Sequence, residues 1–181
     1  GLLRKDEIAG INWGTEPRYV DYGRIYESRF DVLSKAKERG WERDKQKVNA
    51  FIERNSRWLA DYALFMALKR HFGMKSWTEW EDEDIRLRKP AAMAKYRELL
   101  REDIELFTYI QFLFFEQWTK LKAYINDLGI GIIGDIPIYV AMDSADVWAE
   151  PEFFQLDEKN LPVEVSGVPP DDFSAAGQLW G

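Results

Sequence analysis

The residues best equipped for chemistry in this 181-residue chain are carboxylates set beside aromatic rings near its C-terminus. The stretch Gly167-Val-Pro-Pro-Asp171-Asp172-Phe173-Ser174-Ala-Ala-Gly177-Gln178-Leu-Trp180 mixes both kinds. Flat rings stack on the apolar C–H faces of sugars, while acids and amides bond hydroxyl groups. Two prolines and two glycines make the stretch a loop, and functional residues concentrate on loops held by a rigid scaffold. The alternative is that Phe173 and Trp180 only tack the loop onto a core, and the pattern alone leaves both open.

Asp135 is a second candidate, in Gly134-Asp135-Ile136-Pro137. A carboxylate at the C-terminal end of a parallel strand points into the mouth of an α/β barrel. It could equally be a turn Asp that accepts backbone N–H bonds before a proline. Asp143 and Asp146, three residues apart, could share a cation, but Asp and Ser at such places read first as helix N-caps. The acids Glu79, Glu81, Asp82, Glu83 and Asp84 around Trp80 read as a solvated loop. His71, at a helix end, reads as a partner of the helix dipole.

Composition narrows the field. No Cys is present, which excludes disulfides, thiolate catalysis and thiolate zinc sites. A single His removes any multi-His metal site. No P-loop spacing occurs, so no cradle of that kind is offered to a cofactor phosphate. The net charge of −7 disfavours nucleic acid and anionic membrane surfaces as partners, since both are bound through Lys and Arg. The most apolar run, Leu106 to Phe115, is far shorter than the roughly 20 residues of a membrane span. The N-terminus lacks a signal-peptide pattern. A cytoplasmic location is the expectation, and both chain ends read as cuts.

The elements that must position these residues are mostly helical. Residues 1–24 are turn-rich and predict loop with one short extended piece. Ile25, Phe30 and Leu33 predict a helix ending near Gly40. Phe51, Ile52, Trp58, Leu59, Tyr62, Phe65 and Met66 predict a second long helix to Gly73. Ser76, with Glu79 three residues on, predicts an N-cap, and Pro90 opens a third helical stretch. Residues 104–125 are apolar all round, so this helix needs partners on several faces. After Gly129 the text becomes β-branched: Ile130 to Val140 predicts a strand buried on both faces of a parallel sheet. Phe153–Leu156 and Val163–Val168 predict a small hairpin about residues 157–160.

Several blocks together resemble one family. They are Gly131-Ile-Ile-Gly-Asp-Ile-Pro-Ile-Tyr-Val140, Asp143-Ser-Ala-Asp-Val-Trp148, Pro151, Phe154-Gln-Leu-Asp157, Gly167 through Ser174, and Gly177-Gln-Leu-Trp-Gly181. About 50 consecutive residues are similar to the 4-α-glucanotransferases, or amylomaltases, of glycoside hydrolase family 77. Ile11-Asn-Trp-Gly14 and Pro17-Arg-Tyr-Val-Asp-Tyr-Gly23 resemble the segment before that family's helical insertion.

The resemblance implies an α/β fold, mostly helical here: a partial (β/α)8 TIM-barrel piece with a helical insertion subdomain. Residues 1–24 would be a loop-rich barrel segment and 25–128 the insertion. Residues 129–181 would be a barrel strand, a hairpin and the active-site loop. It implies transfer of α-1,4-glucan segments between maltooligosaccharides, without cofactor or metal. The family's retaining chemistry needs two carboxyl groups about 5 Å apart. No strand-like Arg-x-Asp or Glu-Asp-Leu-Gly block occurs, so the nucleophile and acid/base are expected beyond Gly181. What the resemblance leaves here is substrate binding, by Asp135, Asp171, Phe173, Gln178 and Trp180. A closed barrel takes at least about 200 residues, which also points to a piece that is inactive alone. Unpaired strand edges would then favour self-association. Two rival readings are a helical interaction module and an isolated sugar-binding unit.

Overall fold

The computed structural model describes residues 1–137 and 139–180. Eight helices account for nearly all of the regular structure among them.

Helix α1, Lys5–Ala9, replaces the loop predicted for this region. Glu7 reaches back to accept from the Arg4 backbone N–H at 2.9 Å, and acidic residues in the first turn suit the helix dipole. The helix is held from elsewhere: Arg39 grips the Glu7 carboxylate with two N–H groups at 2.7 and 2.6 Å. Helix α2, Tyr22–Gly40, starts three residues before Ile25 because the Asp21 side chain accepts from Arg24 N–H at 3.1 Å. It ends at Gly40 as expected. Its buried stripe, Val32, Ala36 and Gly40, follows the four-residue helical spacing.

The single long second helix predicted from periodicity is two, α3 (Lys45–Arg54) and α4 (Leu59–His71). Asn55 breaks it. Its side-chain amide donates to the Phe51 carbonyl at 2.8 Å and competes with the backbone bond that would continue the helix. A 3₁₀ turn at Trp77–Glu79 follows. Ser76 stands at its N-cap position, but its hydroxyl pairs with the Thr78 hydroxyl instead. The cap comes from 66 residues away, where Asp143 Oδ1 accepts from Trp77 N–H at 3.2 Å. Helix α5, Glu83–Arg86, is capped by Asp82, and α6, Pro90–Leu99, opens on its proline as expected.

Helix α7, Arg101–Asp127, is about 40 Å long. Its first half supplies the core: Leu106, Phe107, Tyr109 and Phe112 are buried between α2, α3, α4 and α6. Its second half exposes Phe114, Trp118, Leu121 and Tyr124. The all-round apolar helix thus has partners on several faces over half its length. Helix α8, Ala145–Ala149, has Ser144 as N-cap, with Asp146 in the first turn. It buries Trp148 against Phe65 and Trp80. The Trp148 indole N–H donates to the Ile85 carbonyl, and Arg88 lies over its ring while pairing with Asp61. Truncating a ring so buried costs about 3–5 kcal/mol.

The described residues between Ile130 and Val140 form no strand. A strand needs neighbouring backbone to satisfy its N–H and C=O groups, and no described segment pairs with this run in a sheet. Ile133 and Ile136 are 98% and 83% exposed. The only ladder among the described residues is antiparallel and short, β1 (Gly167–Val168) against β2 (Gln178–Leu179). The predicted hairpin survives as one bridge, Leu156 to Pro162. Its turn is closed by Asp157 Oδ1, which accepts from Lys159 and Leu161 N–H. Those backbone donors, Leu161 foremost, hold the Asp157 carboxyl below its usual value.

Candidate functional site

The terminal loop is built from its own backbone bonds. At its base Gly167 faces Leu179 and Val168 faces Gln178. This ladder corrects the expectation that the stretch has no regular structure. Close approach is possible because Gly177 takes a φ of +73°, and a Cβ there would lie 2.5 Å from the Val168 carbonyl oxygen. At the tip Asp171 Oδ1 accepts from the N–H groups of Phe173 and Ser174 at 2.9 and 2.8 Å, an Asx turn. The Asp171 N–H donates to the Ser174 carbonyl, and the Ser174 hydroxyl to that of Gly177. These bonds push Phe173 outward, where it is 95% exposed. It does not tack the loop to a core.

Trp180 is held differently. Its N–H donates to the Ser166 carbonyl at 2.7 Å, and its indole N–H to Gln178 Oε1 at 3.0 Å. Its ring stacks on Tyr139, with centroids 5.3 Å apart and planes 26° apart. Tyr139 was not singled out from the sequence. The available signal was an aromatic four residues after Asp135 in the apolar run. Asp135 itself makes the local bond of a turn Asp, accepting from Ile136 N–H at 2.8 Å. No hydrogen bond or ion pair among the described residues joins it to the loop.

This arrangement leaves defined valences. The second carboxylate oxygens of Asp135 and Asp171, and the amide nitrogen of Gln178, have no hydrogen-bond partner among the described residues. Two acceptors, one donor and the exposed faces of Phe173 and Trp180 suit a hydroxyl-rich ligand with apolar ring faces. A cavity of about 450 Å³ is lined by Tyr139 and Ser166, the two residues that hold Trp180 from outside its ring, together with Met142, Phe154, Gln155 and Glu164 among others.

The remaining candidates have structural roles. Asp143 clamps Lys69 and Trp77, in place of the helix N-cap expected of it. Asp82 caps α5 and accepts from the Tyr96 hydroxyl at 3.0 Å, while Glu81 pairs with Lys75. The Tyr96 phenol is pushed up to about 12, chiefly by burial and then by Asp82. His71 closes α4, edge-on to Phe72 and Tyr96. Among the described residues no three His, Asp or Glu side chains converge on a metal position, and no helix is long and apolar enough to cross a membrane.

The family described as 4-alpha-glucanotransferase, glycoside hydrolase family 77, matches residues 1–181, and the chain belongs to it. It is 46% identical over 181 residues to the 4-alpha-glucanotransferase of Clostridium butyricum, covering 99% of this chain and 37% of that protein. It is 46% identical over 166 residues to that of Thermus thermophilus, covering 90% and 33%. The structure superposes on amylomaltase from Streptococcus agalactiae, solved in complex with acarbose, with a TM-score of 0.93 at 44% identity, covering 99% and 37%. The chain therefore spans about a third of the length of these relatives.

Proposed function

We propose that this chain carries part of the glucan-binding surface of a 4-α-glucanotransferase, an enzyme that moves α-1,4-glucan segments between maltooligosaccharides. The observation that carries the reading is the loop of residues 166–180. In a chain of this family, it turns Phe173 and one face of Trp180 outward, with the second carboxylate oxygen of Asp171 unpartnered. Asp135 and Gln178 complete the sugar contacts. The loop shields the reacting centre from water, which favours transfer over hydrolysis.

In this reading residues 25–128 are a helical insertion subdomain, and 1–24 belong to a loop-rich segment of the (β/α)8 barrel. Residues 129–181 supply a barrel strand, the hairpin and the active-site loop. The exposed run from Ile130 becomes a strand when neighbours from the rest of the barrel pair with it. The same neighbours cover Phe114, Trp118, Leu121 and Tyr124, and without them the chain self-associates. The nucleophile and acid/base come from outside these 181 residues, as the length of the relatives supports.

The test is incubation of the full-length protein with maltotriose, followed by chromatography of the products. Glucose together with maltotetraose and longer chains is the expected ladder. Unchanged maltotriose, or glucose and maltose alone, contradicts the proposal.

A further inference from the structure

A ring that stacks on a sugar is useful in proportion to how firmly its plane is fixed before the sugar arrives, because ordering it at binding weakens affinity. Trp180 is fixed at three points. Its backbone N–H is held by the Ser166 carbonyl and its indole edge by Gln178 Oε1. One ring face is covered by Tyr139. The first two restraints come from the loop itself. The third comes from outside it.

Tyr139 is tied to the helices a few residues on. The Met142 carbonyl accepts from the Trp77 indole N–H at 2.7 Å. Asp143 takes the Trp77 backbone N–H and the Lys69 ammonium, and Lys69 also donates to the carbonyls of Met74 and Lys75. Trp180 is still 36% exposed, so the stack does not enclose the residue.

We propose that Tyr139 is a positioning residue for glucan binding, which fixes the indole plane of Trp180 by stacking on one face and leaving the other to the sugar. This rests on the glucanotransferase reading given above. Tyr139 touches no sugar in this account; it acts through Trp180. Its phenol oxygen is not needed, only its ring, so phenylalanine serves equally.

The experiment measures KM and kcat for maltotriose disproportionation by the full-length protein. The variants are Tyr139→Leu, Tyr139→Phe, Trp180→Phe and the Tyr139→Leu/Trp180→Phe pair. Tyr139→Leu is expected to raise KM about three- to tenfold, the range of one aromatic stack, with kcat within about twofold. Tyr139→Phe stays within about twofold of the unsubstituted protein in both constants. In the Trp180→Phe background, Tyr139→Leu adds no further change, which a merely structural role would not produce. If the leucine variant fails to fold, Tyr139→Met is read in its place. A raised KM in Trp180→Phe with an unchanged KM in Tyr139→Leu overturns the brace and leaves the glucanotransferase reading standing. Independent, multiplying effects of the two substitutions also overturn it. No disproportionation by the unsubstituted protein overturns both.

Discussion

Lys69 and Asp143 join across 74 residues, with the ammonium nitrogen 2.5 Å from Oδ2. The Lys69 side chain is 8% exposed and that of Asp143 39%. The other Asp143 oxygen caps the 3₁₀ turn at Trp77. One ion pair thus fastens the segment bearing Tyr139 and α8 to the end of α4.

Lys69→Met breaks this joint. It removes the donor for two backbone carbonyls and the counter-charge of Asp143. Breaking a fully buried pair costs about 3–5 kcal/mol, and the exposure of Asp143 reduces that. A loss of about 2–3 kcal/mol in the urea melt of the full-length protein is expected. A loss below about 0.5 kcal/mol counts against the joint.

Gly40→Ala tests a contact against a propensity. Helix propensity favours alanine over glycine by about 1 kcal/mol. Here the new Cβ would lie 1.8 Å from the Tyr109 hydroxyl oxygen, which donates to Asp44 at 2.8 Å. Burial, and then Asp44, hold that phenol in its protonated form well above its usual value. Overpacking costs about 1–3 kcal/mol and the displaced hydrogen bond about 1 more. A net destabilisation of about 2 kcal/mol is expected, and adding Tyr109→Phe recovers only part of it, since the new Cβ would still lie 2.6 Å from Tyr109 Cζ and 2.7 Å from Leu2 Cδ2. Stabilisation by the single substitution contradicts this packing.

The acid response of α1 follows from Glu7. Arg39, and then the Arg4 backbone N–H, lower its carboxyl from 4.5 to about 2. A depressed acid stabilises the folded state above its unfolded value, and the contribution fades as pH falls through the folded one. Amide protection of residues 5–9 should therefore decline between about pH 4.5 and 2. In Glu7→Gln that decline is absent. Identical profiles for the two proteins count against the Glu7–Arg39 clasp.

Much of the helical text was legible, for local reasons. Gly40 and Pro90 mark ends that depend on one residue's backbone, and α7 announces its need for partners through its all-round apolar surface. All but one of the misses share a cause in distance. Helix α1 is held by Arg39, 32 residues away, so its own text reads as turns. Asp143 looks like a local cap but serves Trp77. The break at Asn55 was local yet masked by unbroken apolar spacing across it. Ile130 to Val140 has the composition of a buried strand, but pairing needs neighbours that these residues do not include. In the loop, the carboxylate and the rings were legible by type. The stack that orients Trp180 was not, because it joins positions 41 residues apart.

In the proposed function these residues grip a glucan but do not cut it. Glucose release from maltotriose by the purified 181-residue chain tests this most directly. The account predicts none, while the full-length protein releases glucose under the same conditions. Sustained release by the short chain, free of any longer protein, would contradict it.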